Sequence, residues 1–142
     1  MPFINPYLNF DGQTEKAFNF YKSVFGGNFQ TFQRVAEMPG GDKAPQAEQH
    51  RVIHVSLPIG NDLLMGSDIM PSMGHSLSQG NNYHISVGVD SEEEAKRIFN
   101  GLAAGGKVTM PLEKTFWNAY FGMLTDAFGV SWMVNCDLSP KK

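Results

Sequence analysis

Apolar and polar positions fall into two successive rounds of the same rhythm along this chain. Residues 7–10 (YLNF) alternate as a short strand, and residues 13–25 put Ala17, Phe20, Tyr21, Val24 and Phe25 on one helical face. Gly26-Gly27 ends that helix, since glycine takes the left-handed conformation of a C-cap. Strands are predicted at 28–36 and 51–58, with the loop MPGGDKAPQAEQ between them. IGND at 59–62 reads as a hairpin turn into a strand at 63–68. The stretch 69–82 has no periodicity and reads as a linker.

The rhythm then restarts. Residues 83–89 (YHISVGV) alternate, with Tyr83, Ile85, Val87 and Val89 on one face and His84, Ser86 and Gly88 on the other. Ser91 followed by Glu94 predicts a capping box. The helix it opens carries Ala95, Ile98, Phe99 and Leu102 and stops at Gly105-Gly106, with strands expected near 107–112, 118–125 and 130–136. A gap-free overlay at an offset of 79 matches Phe10-Asp11 with Val89-Asp90, Phe20 with Phe99, and Gly26-Gly27 with Gly105-Gly106. The pattern predicts a duplicated strand–helix–strands module and an α+β fold, in which each sheet buries one face under a helix.

Composition narrows the function classes. Lys+Arg 11 against Asp+Glu 14 gives a formal charge of −3, the wrong balance for a protein that grips nucleic-acid phosphates. Apolar runs are far shorter than the roughly 20 residues of a membrane span, so no membrane partner is expected. MPFINPYLNF has no basic region followed by a long apolar stretch, so a cytoplasmic location is expected. The lone Cys136 forms no internal disulfide and has no basic neighbour in sequence to activate it. GLAAGGK at 101–107 imitates a phosphate-binding loop, but Val108 stands where Ser or Thr is needed and the segment closes a helix instead of opening one.

Several motifs together resemble the vicinal oxygen chelate superfamily, which includes glyoxalase I and the bleomycin and fosfomycin resistance proteins, and within it the PhnB-like branch. They are YLNF at 7–10, FYKSVFGG at 20–27, LMGSD at 64–68, GNNYHISVGVD at 80–90, Phe116-Trp117, and TDAFGVSWMV at 125–134. The likeness spans nearly the whole chain. It implies one glyoxalase-like domain over 1–142, built from βαβββ modules at 3–68 and 83–137 joined by 69–82, with curved mixed sheets around a shared cavity. It also implies a homodimer.

Metalloenzymes of that superfamily take ligands from the first and last strands of each module. The resemblance maps these positions to Asn5, His84 and the neighbourhoods of Met65 and Met133. Thioethers and an amide do not hold the hard divalent ions involved, which prefer imidazole nitrogen and anionic oxygen. No metal and no other cofactor is therefore expected. The branch also carries the label demethylubiquinone methyltransferase, yet the chain lacks the glycine-rich turn and the length of a conventional methyltransferase.

The remaining expectation is a cavity that binds a small organic ligand, with a metal-independent reaction open. His84 is the candidate general base, the alternative being an imidazole bonded to a neighbouring strand. His54 should share its face, because Ile53, Val55 and Leu57 take the packed one. Met65, Met133, Trp117 and Tyr120 are the candidate ligand-lining residues, against plain core packing. His50 and His75 fall in solvated loops, and Glu113 has no evident acid–base partner. Asp126 and Gly129 match a structural D-x-x-G turn. Two other function classes stay open: a divalent-metal lyase or dioxygenase recruiting His84 and His54, and a regulatory interaction protein. Segments 37–49 and 69–79 are expected to be mobile and to border the cavity.

Overall fold

Helix α1 (Thr14–Phe25) buries Thr14, Ala17, Phe18, Tyr21 and Val24, the stripe its 3.6-residue period provides. Phe18 holds a core position and Phe20 and Phe25 lie at its margin, a correction to the predicted face. The computed structural model describes residues 2–139 and divides into two compact units, Met1–Ser78 and Gln79–Lys142.

The first unit adds β1 (Tyr7–Phe10), β2 (Thr31–Arg34), β3 (Val52–Ile59) and β4 (Asp62–Asp68) in the sheet order β1-β4-β3-β2. The second has β5 (Ile85–Val89), α2 (Glu92–Ala103), β6 (Lys107–Lys114), β7 (Ala119–Thr125) and β8 (Ser131–Asp137), ordered β5-β8-β7-β6. Each sheet has one parallel pair, β1 with β4 and β5 with β8, and is otherwise antiparallel. Both units are therefore βαβββ modules of one topology.

The overlay is not gap-free. Phe10 and α1 are separated by Asp11-Gly12-Gln13, while Val89 and α2 are separated by Asp90-Ser91 alone. The extra residue shifts the helices to an offset of 78. The buried Ala17, Tyr21 and Val24 then correspond to the buried Ala95, Phe99 and Leu102. Tyr21, not Phe20, is thus the counterpart of Phe99. Capping differs accordingly. Ser91 Oγ accepts from the Glu94 amide at 3.1 Å, the expected cap of α2. Gln13 makes no such bond at α1, where Asp68 of β4 accepts from the Thr14 amide at 3.1 Å and its hydroxyl at 2.7 Å.

The segment after β2 is shorter in strand and richer in structure than its sequence suggests. Residues 35–37, 41–43 and 46–48 form 3₁₀ turns. Gly41 is buried where a Cβ would sit 2.0 Å from the Val35 carbonyl oxygen, so only glycine fits. The buried Glu48 carboxylate accepts from the amide and hydroxyl of Ser72 at 3.1 and 2.8 Å. The two loops expected to be loose are thereby clipped to each other. No described helix is long and apolar enough to cross a membrane.

The two false or structural motifs lie as expected. Gly105-Gly106 closes α2, with the Gly106 amide bonded to the Ala103 carbonyl instead of being free for a phosphate. Asp126 Oδ1 accepts from the Phe128 and Val130 amides at 2.8 and 3.0 Å, and Gly129 has φ 88°.

Candidate functional site

One sheet face in each unit packs on its helix, and the candidate side chains concentrate on the opposite face. In the first unit, Phe18 presses so close to β4 that a Cβ on Gly66 would come within 2.6 Å of its ring. The helix side of β4 is thus Leu64, Gly66 and Asp68, which leaves Met65 on the other side. Register puts Tyr7, Met65, Ser56 and Thr31 in one row across the sheet. His54 shares that side two residues from Ser56, opposite Gln33, and is half-buried. Tyr7 Oη lies 3.3 Å from His54 Nδ1, and the two rings stack at 5.8 Å with planes 24° apart.

In the second unit, Ile85, Val87, Trp132, Val134 and Leu124 take the α2 side, and Met133 faces away, in register with Ser86 and Met123. Phe121 and Met110 join it by register with Asn135 and Met123. Trp117 stands in the turn after β6, its ring 5.9 Å from Phe121 and 4.9 Å from Phe116. That turn is tied by Thr115, whose amide donates to the Ala119 carbonyl at 2.8 Å and whose hydroxyl oxygen accepts from the Ala119 amide at 3.1 Å. Trp117 is therefore held toward the helix-free face.

Tyr120 is not. It pairs with the buried Cys136 on the α2 side, and the Lys96 ammonium lies 5.9 Å over its ring. Strand period decides this: one residue along β7, Phe121 takes the place expected for Tyr120. His84 also departs from its expected strand. It precedes β5 and is exposed, and its ring makes no hydrogen bond among the described residues.

Tyr7, Phe121, Met123 and Met110 were not among the site residues expected from sequence. For Phe121 and Met123 the signal was present in the alternation of β7. Tyr7 needed the β1–β4 pairing, which local pattern does not carry.

The donor set does not suit a hard divalent ion. Met65 and Met133 occupy matching places, each opposite a residue of the parallel neighbour, Tyr7 and Ser86. Asn5, the counterpart of His84, already accepts the Leu63 amide at 3.1 Å. Among the described residues no group of three or more His, Cys, Asp or Glu is placed to hold a metal.

The sequence profile of the family described as 3-demethylubiquinone-9 3-methyltransferase matches residues 2–135. The chain belongs to this family. Protein YjdN of Escherichia coli (strain K12) is 34% identical over 140 residues, covering 93% of each chain. The structure of PA1353 from Pseudomonas aeruginosa is 41% identical, with 96% of this chain and 98% of that one covered and a TM-score of 0.86. The PhnB protein from Bacillus cereus is 28% identical, covering 95% and 99%, with a TM-score of 0.75. FosX of Listeria monocytogenes, a fosfomycin resistance protein complexed with Mn(II) and sulfate, shares the fold at 14% identity, 95% and 91% coverage and a TM-score of 0.61. The chain is thus similar to a PhnB protein, and it shares its fold with FosX and with a glyoxalase/bleomycin resistance protein/dioxygenase family enzyme from Burkholderia phytofirmans PsJN. The family's description names a methyltransferase. Neither sheet of this PhnB-like chain is the longer parallel α/β sheet with a glycine-rich turn that conventional methyltransferases use.

Proposed function

We propose that this PhnB-like protein binds a small, neutral organic ligand on a helix-free sheet face without a native metal, as a cytoplasmic homodimer. The observation that carries the reading is the matched pair Met65 and Met133, thioethers at equivalent register positions of the two modules. Soft, adaptable side chains there favour apolar contact over coordination of a hard cation. In the second unit Trp117, edge-on to Phe121 at 5.9 Å, adds apolar surface to the face that carries Met133; in the first unit His54 adds a polar contact to the face that carries Met65. His84 is the exposed imidazole available as a general base if the ligand is a substrate.

Native mass spectrometry of freshly purified protein tests this. The expected result is a metal-free protein retaining an organic mass, with His84→Ala leaving metal content unchanged and weakening ligand retention. Near-stoichiometric Zn, Ni, Mn or Fe that is lost in His84→Ala would overturn it in favour of a divalent-metal lyase or dioxygenase.

A further inference from the structure

Tyr7 lies on β1 and His54 on β3, with β4 between them in the sheet. Tyr7 is in register with Met65 of β4, so the two rings meet across the strand that carries this thioether. The 3.3 Å approach of Oη to Nδ1 has a preferred direction. A phenol is a better proton donor than a neutral imidazole N–H, and an imidazole nitrogen is a better acceptor than a phenol oxygen. Tyr7 therefore donates, and the proton of neutral His54 sits on Nε2. Among the described residues Nε2 has no partner, and no buried side-chain nitrogen or oxygen lacks one. Nε2 thus reaches solvent, on an imidazole whose other nitrogen is occupied and whose ring is stacked.

The neighbours of this group define what it can bind. Along the helix-free side of the first sheet, strand alternation puts Thr31, Gln33, Ser56, Leu63, Met65, Ser67 and Asn9 beside the pair, and none is charged. A carboxylate would find no fixed positive charge among these residues, whereas a neutral carbonyl needs only one donor and apolar surroundings. We propose that Tyr7 and His54 form a carbonyl-recognition subsite, in which Nε2–H donates to the oxygen of a neutral organic ligand and Tyr7 is a positioning residue that sets the tautomer. This rests on the ligand-binding reading above and assigns that ligand a chemical class.

The test is long-range ¹H–¹⁵N NMR of the His54 ring in the full chain, with acetophenone, ethylbenzene and benzoate as probes. The wild-type ring is expected to be protonated at Nε2, and Tyr7→Phe to raise the population protonated at Nδ1. Acetophenone should shift the His54 resonances saturably, and its affinity should fall about 3- to 10-fold in Tyr7→Phe, the worth of one hydrogen bond. Ethylbenzene, of the same shape without the oxygen, should not respond to the substitution. A wild-type ring protonated at Nδ1, no acetophenone response at His54, or equal acetophenone affinity in Tyr7→Phe overturns the subsite. Tighter binding of benzoate than of acetophenone overturns the neutral-carbonyl assignment. Each of these outcomes leaves the ligand-binding reading standing, since that reading falls on a retained metal.

Discussion

The indole N–H of Trp132 donates to Oδ2 of Asp126 at 2.8 Å, and both residues are buried, Trp132 at 1% exposure. Oδ1 of the same carboxylate holds the Phe128 and Val130 amides, so one side chain fixes both the β7–β8 turn and the largest core residue of the second unit. Asp126→Ala strands three donors, each costing about 1–3 kcal/mol when buried and unmet. Urea unfolding should show a loss of about 3 kcal/mol or more. Asp126→Asn, which keeps an acceptor oxygen, should lose less. Equal stability of Asp126→Ala and wild type would contradict the role.

Glu48 joins the 3₁₀ turn at 46–48 to Ser72 in the turn at 71–73. Glu48→Ala should release the second loop locally more than it destabilises the unit, because Ile69 stays held upstream, its amide by the Phe10 carbonyl at 2.7 Å and its carbonyl by Arg51 Nη1 at 3.0 Å. Hydrogen exchange should quicken at residues 72–75 and stay unchanged in β3 and β4. Unaltered exchange at Ser72 would remove the clip.

Arg34 donates to both carboxylate oxygens of Glu15, at 3.1 and 2.7 Å, and these hydrogen bonds hold the Glu15 carboxyl below its usual value of 4.5. The depressed value means the pair stabilises the fold above the unfolded carboxyl's titration and ceases to do so as pH falls through the folded one. The pair is substantially exposed, so its worth at neutral pH is about 0.2–1 kcal/mol. The stability gap between wild type and Glu15→Gln should be present at pH 7 and close on acidification below about pH 4. A gap that widens toward acid would reverse the sign.

Phe116 is 96% exposed at the tip of a turn tied by Thr115, and Trp117 beside it is half exposed. An apolar tip of this kind is a natural contact for a second copy of the chain. Sedimentation should give a dimer at micromolar concentration for the wild type, and Phe116→Ser should shift it toward monomer. A wild-type monomer under those conditions sinks the assembly proposal.

Much of the architecture was legible because it is written in local periodicity. The alternation of YHISVGV, the stripe Ala95, Ile98, Phe99 and Leu102, and the Gly-Gly stops each state which face is buried and where an element ends, and two copies of that grammar reveal two modules. The D-x-x-G turn and the mimic of a phosphate loop were equally local, since their meaning depends on a few adjacent amides. What local pattern missed were single-residue matters of register. The buried face of α1 carries Phe18 where Phe20 was expected, one extra residue before α1 makes Tyr21 the counterpart of Phe99, and one step along β7 puts Phe121, not Tyr120, on the face of Met133.

The sequence by itself determined the module and its duplication. The tertiary structure alone decided that Tyr7 reaches His54, 47 positions away, and that Glu48 meets Ser72. The physical reason is the range of the interactions. Periodicity reports what each residue faces within its own helix or strand, whereas a hydrogen bond between distant strands exists only after sheet order and register bring its atoms within about 3 Å of one another.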